Sequence, residues 1–267
     1  MIGNSKATII TGLTDLWQKR ELIFFLAQRD VKVRYKQTIL GIGWALLQPL
    51  TTVLSFWLFL GKLGRIPSDG VPYGLFVFTG VLIWNFFSST VTITASSILN
   101  YSHLITKVYF PRIIIPVSSV GLAIFDMCIS ASLMLIFLLA YRIPLTWEIL
   151  LAPIIMLFAG FAALGCGLIS MGFSSRYRDV RYAMPFILQF AMYASPVVYP
   201  SSQIPQKWRE ILVFNPLTGL IEAFRASILG RPIEWRILGL ASVEVTAILL
   251  VGLFVFQRTQ HKFTDTI

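Results

Sequence analysis

Charge is what this sequence has least of. Asp, Glu, Lys and Arg make up 13% of its 267 residues against 56% hydrophobic, and mean hydropathy is +0.76. A soluble domain of this length cannot cover its surface with so few charges, which leaves a polytopic membrane protein. Acids are scarcer than bases, 12 against 22. In a membrane chain that excess reads as flanks meeting anionic lipid, so no nucleic-acid partner is expected. The two cysteines, Cys128 and Cys166, fall inside apolar runs. They read as buried, inert thiols without metal-ligand spacing. The two histidines, His103 and His261, are far apart in the chain. There is no G-x-x-x-x-G-K-[ST] loop, no H-E-x-x-H and no G-x-S-x-G, so no catalytic residue, metal or cofactor is assigned. Residues 1–38 lack an apolar core followed by small residues, and no cleavable signal peptide is expected.

What is present is organised around Leu13–Leu50. Its middle holds Arg29, Lys32, Arg34 and Lys36 against one acid, Asp30, and then no ionisable side chain appears from Ile39 to Leu60. A helix over that run rises roughly 33 Å, enough to cross a bilayer. Residues 13–36 read as an interfacial arm, with Leu13, Trp17, Phe24, Val31 and Tyr35 on one side. Because Leu22 to Ala27 is apolar all round, the arm is expected to be covered partly by protein. Further apolar runs at 72–93, 113–140, 149–172, 182–199 and 237–256 make six spans in an all-α membrane protein, a single transmembrane domain over 1–267. Fourteen Lys and Arg fall on the side of the termini and eight on the other. That bias predicts both termini in the cytoplasm.

The outer stretch 200–231 predicts two short re-entrant helices divided at Asn215-Pro216, Asn as N-cap and Pro in the first turn. Leu217, Leu220, Ile221, Phe224 and Ile228 share a face, and Glu222 and Arg225 are spaced to pair on another. Asp126 and Glu244 lie inside lipid-grade runs. Such residues face a bundle interior or a watery path, so they either relay protons or find a structural partner. Asn85, Ser88, Ser89, Thr92 and Ser96 recur at helical spacing in the second span. Tyr182, Phe186, Phe190 and Tyr193 do so in the fifth, beside Gln189. Either stripe is a lined path, where aromatic faces stack on sugar rings and hydroxyls meet polar tips, or it is helix packing. Ala159, Ala163 and Gly167 form a small-residue seam that reads as packing. Ile98–Tyr109, carrying His103, Leu104, Lys107 and Tyr109, is expected to form a short helix ended before Pro111. Its mixed surface suits docking into a partner's cleft.

Three segments carry a resemblance. They are R-D-x-K-x-R-Y-K…L-G-x-x-W-x-x-L-x-P from Arg29 to Pro49, K-x-x-F-P from Lys107 to Pro111, and N-P-L-x-x-x-I-E-A-F-R from Asn215 to Arg225. With them the chain resembles, over nearly its whole length, the membrane subunits of ABC exporters of the second type, specifically permeases for O-antigen, capsular polysaccharide or teichoic acid. The resemblance implies a homodimer in the bacterial cytoplasmic membrane, paired with two copies of a separate ATP-binding subunit that holds ATP and Mg. It implies that Ile98–Tyr109 is the coupling helix, and that undecaprenyl-diphosphate-linked glycan moves outward between the two subunits. The channel would be aromatic-rich, lined by Trp44, Asn85, Ser89, Tyr182, Phe186, Phe190 and Tyr193. Asn215, Glu222 and Arg225 would belong to its outer helices. Arg29, Lys32, Arg34 and Lys36 either meet the lipid diphosphate or anchor the arm at the headgroups. The rival readings are a drug or small-lipid exporter of the same fold, a passive scramblase or channel, and a membrane-embedded glycan-assembly enzyme. The last lacks clustered acids or histidines at one membrane face.

Overall fold

One long helix lies at the centre of the molecule and its neighbours lean on it. The computed structural model describes residues 17–36, 38–105, 110–174, 176–177 and 179–260. Leu13, Lys107, Tyr109 and His261 lie outside the described residues.

Ten α-helices form, and no strand occurs among the described residues. The arm is α1 (Arg20–Tyr35). The first span is α2 (Gly43–Phe56), continued by a π-helical turn from Trp57 to Leu63. Pro49 sits inside α2, where its missing N–H loosens the ladder. The central helix α3 (Tyr73–Asn100) buries most of its length, including Phe76, Phe78, Ile83 and Trp84. After it come α4 (Ser102–Ile105), α5 (Ile114–Ala140) and α6 (Ala152–Ser174), the last led by a 3-10 turn from Trp147. Then follow α7 (Asp179–Tyr193), α8 (Gln206–Leu212), α9 (Pro216–Leu229) and α10 (Trp235–Thr259). α5 and α6 pack on α3, and α10 packs on α6.

Lipid is as apolar as a side-chain core, so close backbone approach has to hold these helices together. The expected seam does this. Ala159 and Ala163 are fully buried, and a Cβ on Gly167 would lie 2.6 Å from the Thr94 side chain of α3. On the other face of α6, Gly165 meets Gly252 of α10, whose Cβ would sit 2.6 Å from the Gly165 carbonyl.

Among the described residues five helical segments are long and apolar enough to cross a membrane: 43–63, 73–100, 114–140, 147–174 and 235–259. The expected fifth span over 182–199 is shorter in the structure. α7 has 15 residues, and 194–197 continue as turns. Pro196 is the cause, because the residue before a proline is driven out of the helical region. At roughly 22 Å, α7 falls short of the ~30 Å hydrocarbon core. The outer pair α8–α9 bends by 99°, at the Asn215-Pro216 break read from sequence. Asn215 accepts from the Leu217 N–H at 3.1 Å, and Gly230 closes α9 in the left-handed region at φ 63°.

The arm departs from a one-sided pattern. Leu26 is buried with Tyr101, Phe110, Ile114 and Ile115, while Trp17, Phe24 and Phe25 are exposed. Tyr35 turns inward. α1 is therefore apolar on two sides, one toward protein and one outward. The coupling segment is corrected as well. Ile98 belongs to α3, which runs to Asn100, and only Ser102–Ile105 form a separate described turn of helix.

Candidate functional site

α1, α2, α3 and α5 surround a cavity of about 450 Å³. From α3 come Asn85, Ser88, Ser89 and Thr92, one polar face repeated at helical spacing. The hydroxyls of Ser88 and Thr92 donate to carbonyls a turn back, Asn85 at 3.4 Å and Ser88 at 2.8 Å. Their lone pairs stay free toward the cavity, while the Asn85 side chain offers both donor and acceptor. Trp44 and Gln48 of α2 form another wall. Ser96, the last member of the expected stripe, does not reach the cavity and bonds the Thr92 carbonyl instead.

The charged end is built by α1 and α5. Arg34 Nη1 lies 3.0 Å from Asp126 Oδ2, and the Tyr35 hydroxyl donates to Asp126 Oδ1. Of the two openings for Asp126, the structure shows the structural partner: a cation and a phenol from the arm. Ser130, a turn above, donates to the Asp126 carbonyl at 3.0 Å. Burial, and then the bond to a carboxylate, pushes the Tyr35 phenol well above the ordinary range, so it remains a donor. Glu244 sits on α10 with its Oε2 buried and without a hydrogen-bond partner among the described residues.

The basic cluster is thus divided. Arg34 is paired to Asp126, and Arg29 lies 3.5 Å from Asp30 with its guanidinium 4.3 Å from the Tyr101 ring centre. Lys32 and Lys36 remain exposed. Tyr101 itself is buried and donates to Asp30 Oδ2; burial and this bond raise its phenol in the same way. Tyr101 follows α3 immediately and precedes the turn that carries His103 and Leu104, so the arm clasps the root of that loop. His103 is exposed and Leu104 half-buried.

Outside the cavity, α7 buries only Met184. Tyr182, Phe186 and Phe190 are 77%, 74% and 77% exposed, and Tyr193 is exposed beyond them. The two stripes expected to line one path do not meet within one chain. On α2, Gln48, Thr51 and Ser55 are exposed too, continuing outward from the cavity wall. Sequence reading missed this stripe, although the spacing of Trp44, Gln48, Thr51 and Ser55 was there to be seen.

At the outer end Arg225 corrects its expected place. It forms no ion pair with Glu222 within 4 Å; it is buried, donating to Thr79 Oγ1 at 3.3 Å and to the Pro196 and Val197 carbonyls at 3.0 and 3.1 Å. Its guanidinium lies 3.7 Å from the Phe76 ring centre. Four residues after Ile221 and three before Ile228, it belongs to the apolar stripe, and that arithmetic would have placed it inward. Asn215 also donates to Ser195 Oγ at 2.9 Å. Glu222 is half-buried beside a smaller outer pocket of about 190 Å³. Among the described residues no group of three His, Cys, Asp or Glu could hold a metal.

Residues 21–229 match the family model described as ABC-2 type transporter. The O-antigen export system permease protein RfbA of Myxococcus xanthus is 30% identical over 263 residues, covering 97% of this chain and 100% of that protein. A Klebsiella pneumoniae protein of the same name is 25% identical over 247 residues, 92% and 94% of the two chains. The polysialic acid transport protein KpsM of Escherichia coli is 22% identical over 249 residues, 88% and 91% of the two chains.

Proposed function

The chain belongs to the ABC-2 type transporter family, and from that premise we propose that it is the membrane subunit of an ATP-driven exporter of lipid-linked polysaccharide. It is a multi-pass transport permease, and hydrolysis belongs to a nucleotide-binding partner. In this reading two copies of the chain sit in the bacterial cytoplasmic membrane with their termini inside, each engaging one ATP-binding subunit that holds ATP and Mg. The Ile98–Tyr109 segment, which begins within the last turn of α3, passes the partner's motion to that helix.

One observation carries the reading. The hydroxyl- and amide-lined cavity reaches Gln48 of α2, and Thr51 and Ser55 follow Gln48 at helical spacing on the exposed side of that helix. A helix facing only hydrocarbon would not present such a face. Half of a polar path, open on the side where a second copy completes it, accounts for it. The exposed aromatics of α7 suit the same duty, since ring faces stack on the apolar faces of sugars. A drug or small-lipid exporter would need neither a hydroxyl face nor an open wall for a polymer.

In cells lacking the chain, parental protein should restore surface glycan. The triple variant Tyr182→Ala, Phe186→Ala, Phe190→Ala should restore it at least about tenfold less well, from the loss of several stacking contacts. It should reach the membrane in equal amount. Undiminished glycan export by the triple variant, or rescue of drug efflux alone by the parent, would refute the proposal.

A further inference from the structure

A third cavity, of about 700 Å³, opens between α1, α5 and α6. α5 and α6 each pack closely on α3 but only sparsely on each other, and this splay leaves a slot. Phe86 and Met127 line both this slot and the polar cavity, and so partition the two. The slot wall runs along α5 from Val117 to Ala131, roughly 21 Å of helix. That exceeds the ~15 Å that one leaflet contributes to the hydrocarbon. Phe24, Met156, Leu157 and Phe161 close its sides. Ser118 is among the few polar residues there, and its hydroxyl donates to the Ile115 carbonyl at 2.9 Å.

Arg20 lines one end. It is exposed, has no ion pair among the described residues, and lies 5.4 Å from the ring centre of exposed Trp17. An arginine beside a tryptophan is what a headgroup layer selects. The slot is an open groove, with Phe24, Ile124, Leu157 and Phe161 of its walls exposed, so it lies on helix faces that hydrocarbon bathes.

We propose that the slot is a binding site for one glycerophospholipid with an anionic headgroup. An acyl chain lies between α5 and α6, and the phosphate pairs with Arg20. The volume is in the range that encloses a drug-sized ligand, and Arg20, the one cation among the described lining residues, supplies complementarity to an anion. The lipid fills the gap beneath α1 and completes its seat on α5. It is a site apart from the glycan path, on the other side of Phe86.

The test uses the full chain, extracted with any subunits that remain attached, stripped of lipid and titrated with dioleoyl phosphatidylglycerol or dioleoyl phosphatidylcholine under native mass spectrometry. The parent should retain one phosphatidylglycerol per chain, preferred about fivefold over phosphatidylcholine, as one cation near an anionic headgroup provides. Arg20→Gln, an exposed change, should bind both lipids equally. Cys128→Trp, which projects bulk into the slot, should bind neither, with Cys128→Ser as its parental control. Equal retention of the two lipids by the parent, or an unchanged preference in Arg20→Gln, would overturn the proposal. So would paired chains that separate in Cys128→Trp without any bound lipid, since the face would then be an interface between copies.

Discussion

Arg225 shows how much one side chain can hold. Its fork joins α9 to Thr79 of α3 and to two carbonyls in the turn after α7. Arg225→Met leaves those carbonyls buried without donors, at a cost of about 3 kcal/mol. Thermal unfolding in detergent should record the loss, and Arg225→Lys should recover part of it, because an ammonium keeps the charge but not the planar fork. Beneath it Gly80 leaves no room, since a Cβ there would lie 2.4 Å from the Val197 carbonyl. Asp126 gives a prediction that separates its two roles. If it anchors α1, Asp126→Asn loosens the arm, and the exchange Arg34→Asp with Asp126→Arg restores both stability and export. The pair is partly exposed, at 39% and 20%, so a double-mutant cycle should read only about 1 kcal/mol, and less in high salt. A proton relay would lose export in both the single and the exchanged variant. The acid was legible in the sequence as a group that must find company. Its partner was not, because Arg34 lies 92 residues earlier and no local spacing joins them.

Among the elements, the break between α8 and α9 was legible because its chemistry is local. Asn-Pro carries an N-cap and a first-turn proline in two adjacent letters, and the cap hydrogen bond is present. Asn215→Ala should cost about 1 kcal/mol from the cap, and more than that here, since the Asn215 amide also holds Ser195. The same melting experiment checks it, with Asn215→Asp as a variant that keeps the cap but loses the donor. Long apolar runs were legible for a different reason: each exceeds the length a bilayer demands, so a shift of a few residues at either end changes nothing. α7 is the exception. Its run looks like a span in composition, yet Pro196 truncates it, and hydropathy does not register a missing N–H. The central place of α3 was hidden too. Its hydropathy is unexceptional among the spans, and what makes it central is small residues on its neighbours, Gly167 and Ala163 among them, that let them approach it.

At the scale of the whole molecule, the described chain has two kinds of outer surface. α10 exposes Leu250, Val251 and Phe254, side chains that lipid solvates at no cost, and a lone hydroxyl, Thr246, bonded back to the Ser242 carbonyl. α2 exposes Gln48, Thr51 and Ser55, and α7 exposes Tyr182 and Gln189, groups that hydrocarbon does not satisfy. Each hydroxyl of Thr51 and Ser55 falls back on its own helix, donating to the carbonyls of Gln48 and Thr51, which leaves acceptors still unmet. A face that repeats such groups over several turns is matched better by water or another protein than by hydrocarbon. If two copies meet around a polar path, α2 of one approaches its counterpart and α10 does not. With Cys128 and Cys166 replaced by Ala, Ser55→Cys should then give a disulfide-linked dimer in native membranes on mild oxidation, while Leu250→Cys stays monomeric. The reverse pattern would put α10 at the interface and leave the polar face of α2 to be explained by a different protein. Adding the nucleotide-binding partner and ATP should change the Ser55→Cys cross-linking rate, because a path that carries a polymer has to widen between its two halves.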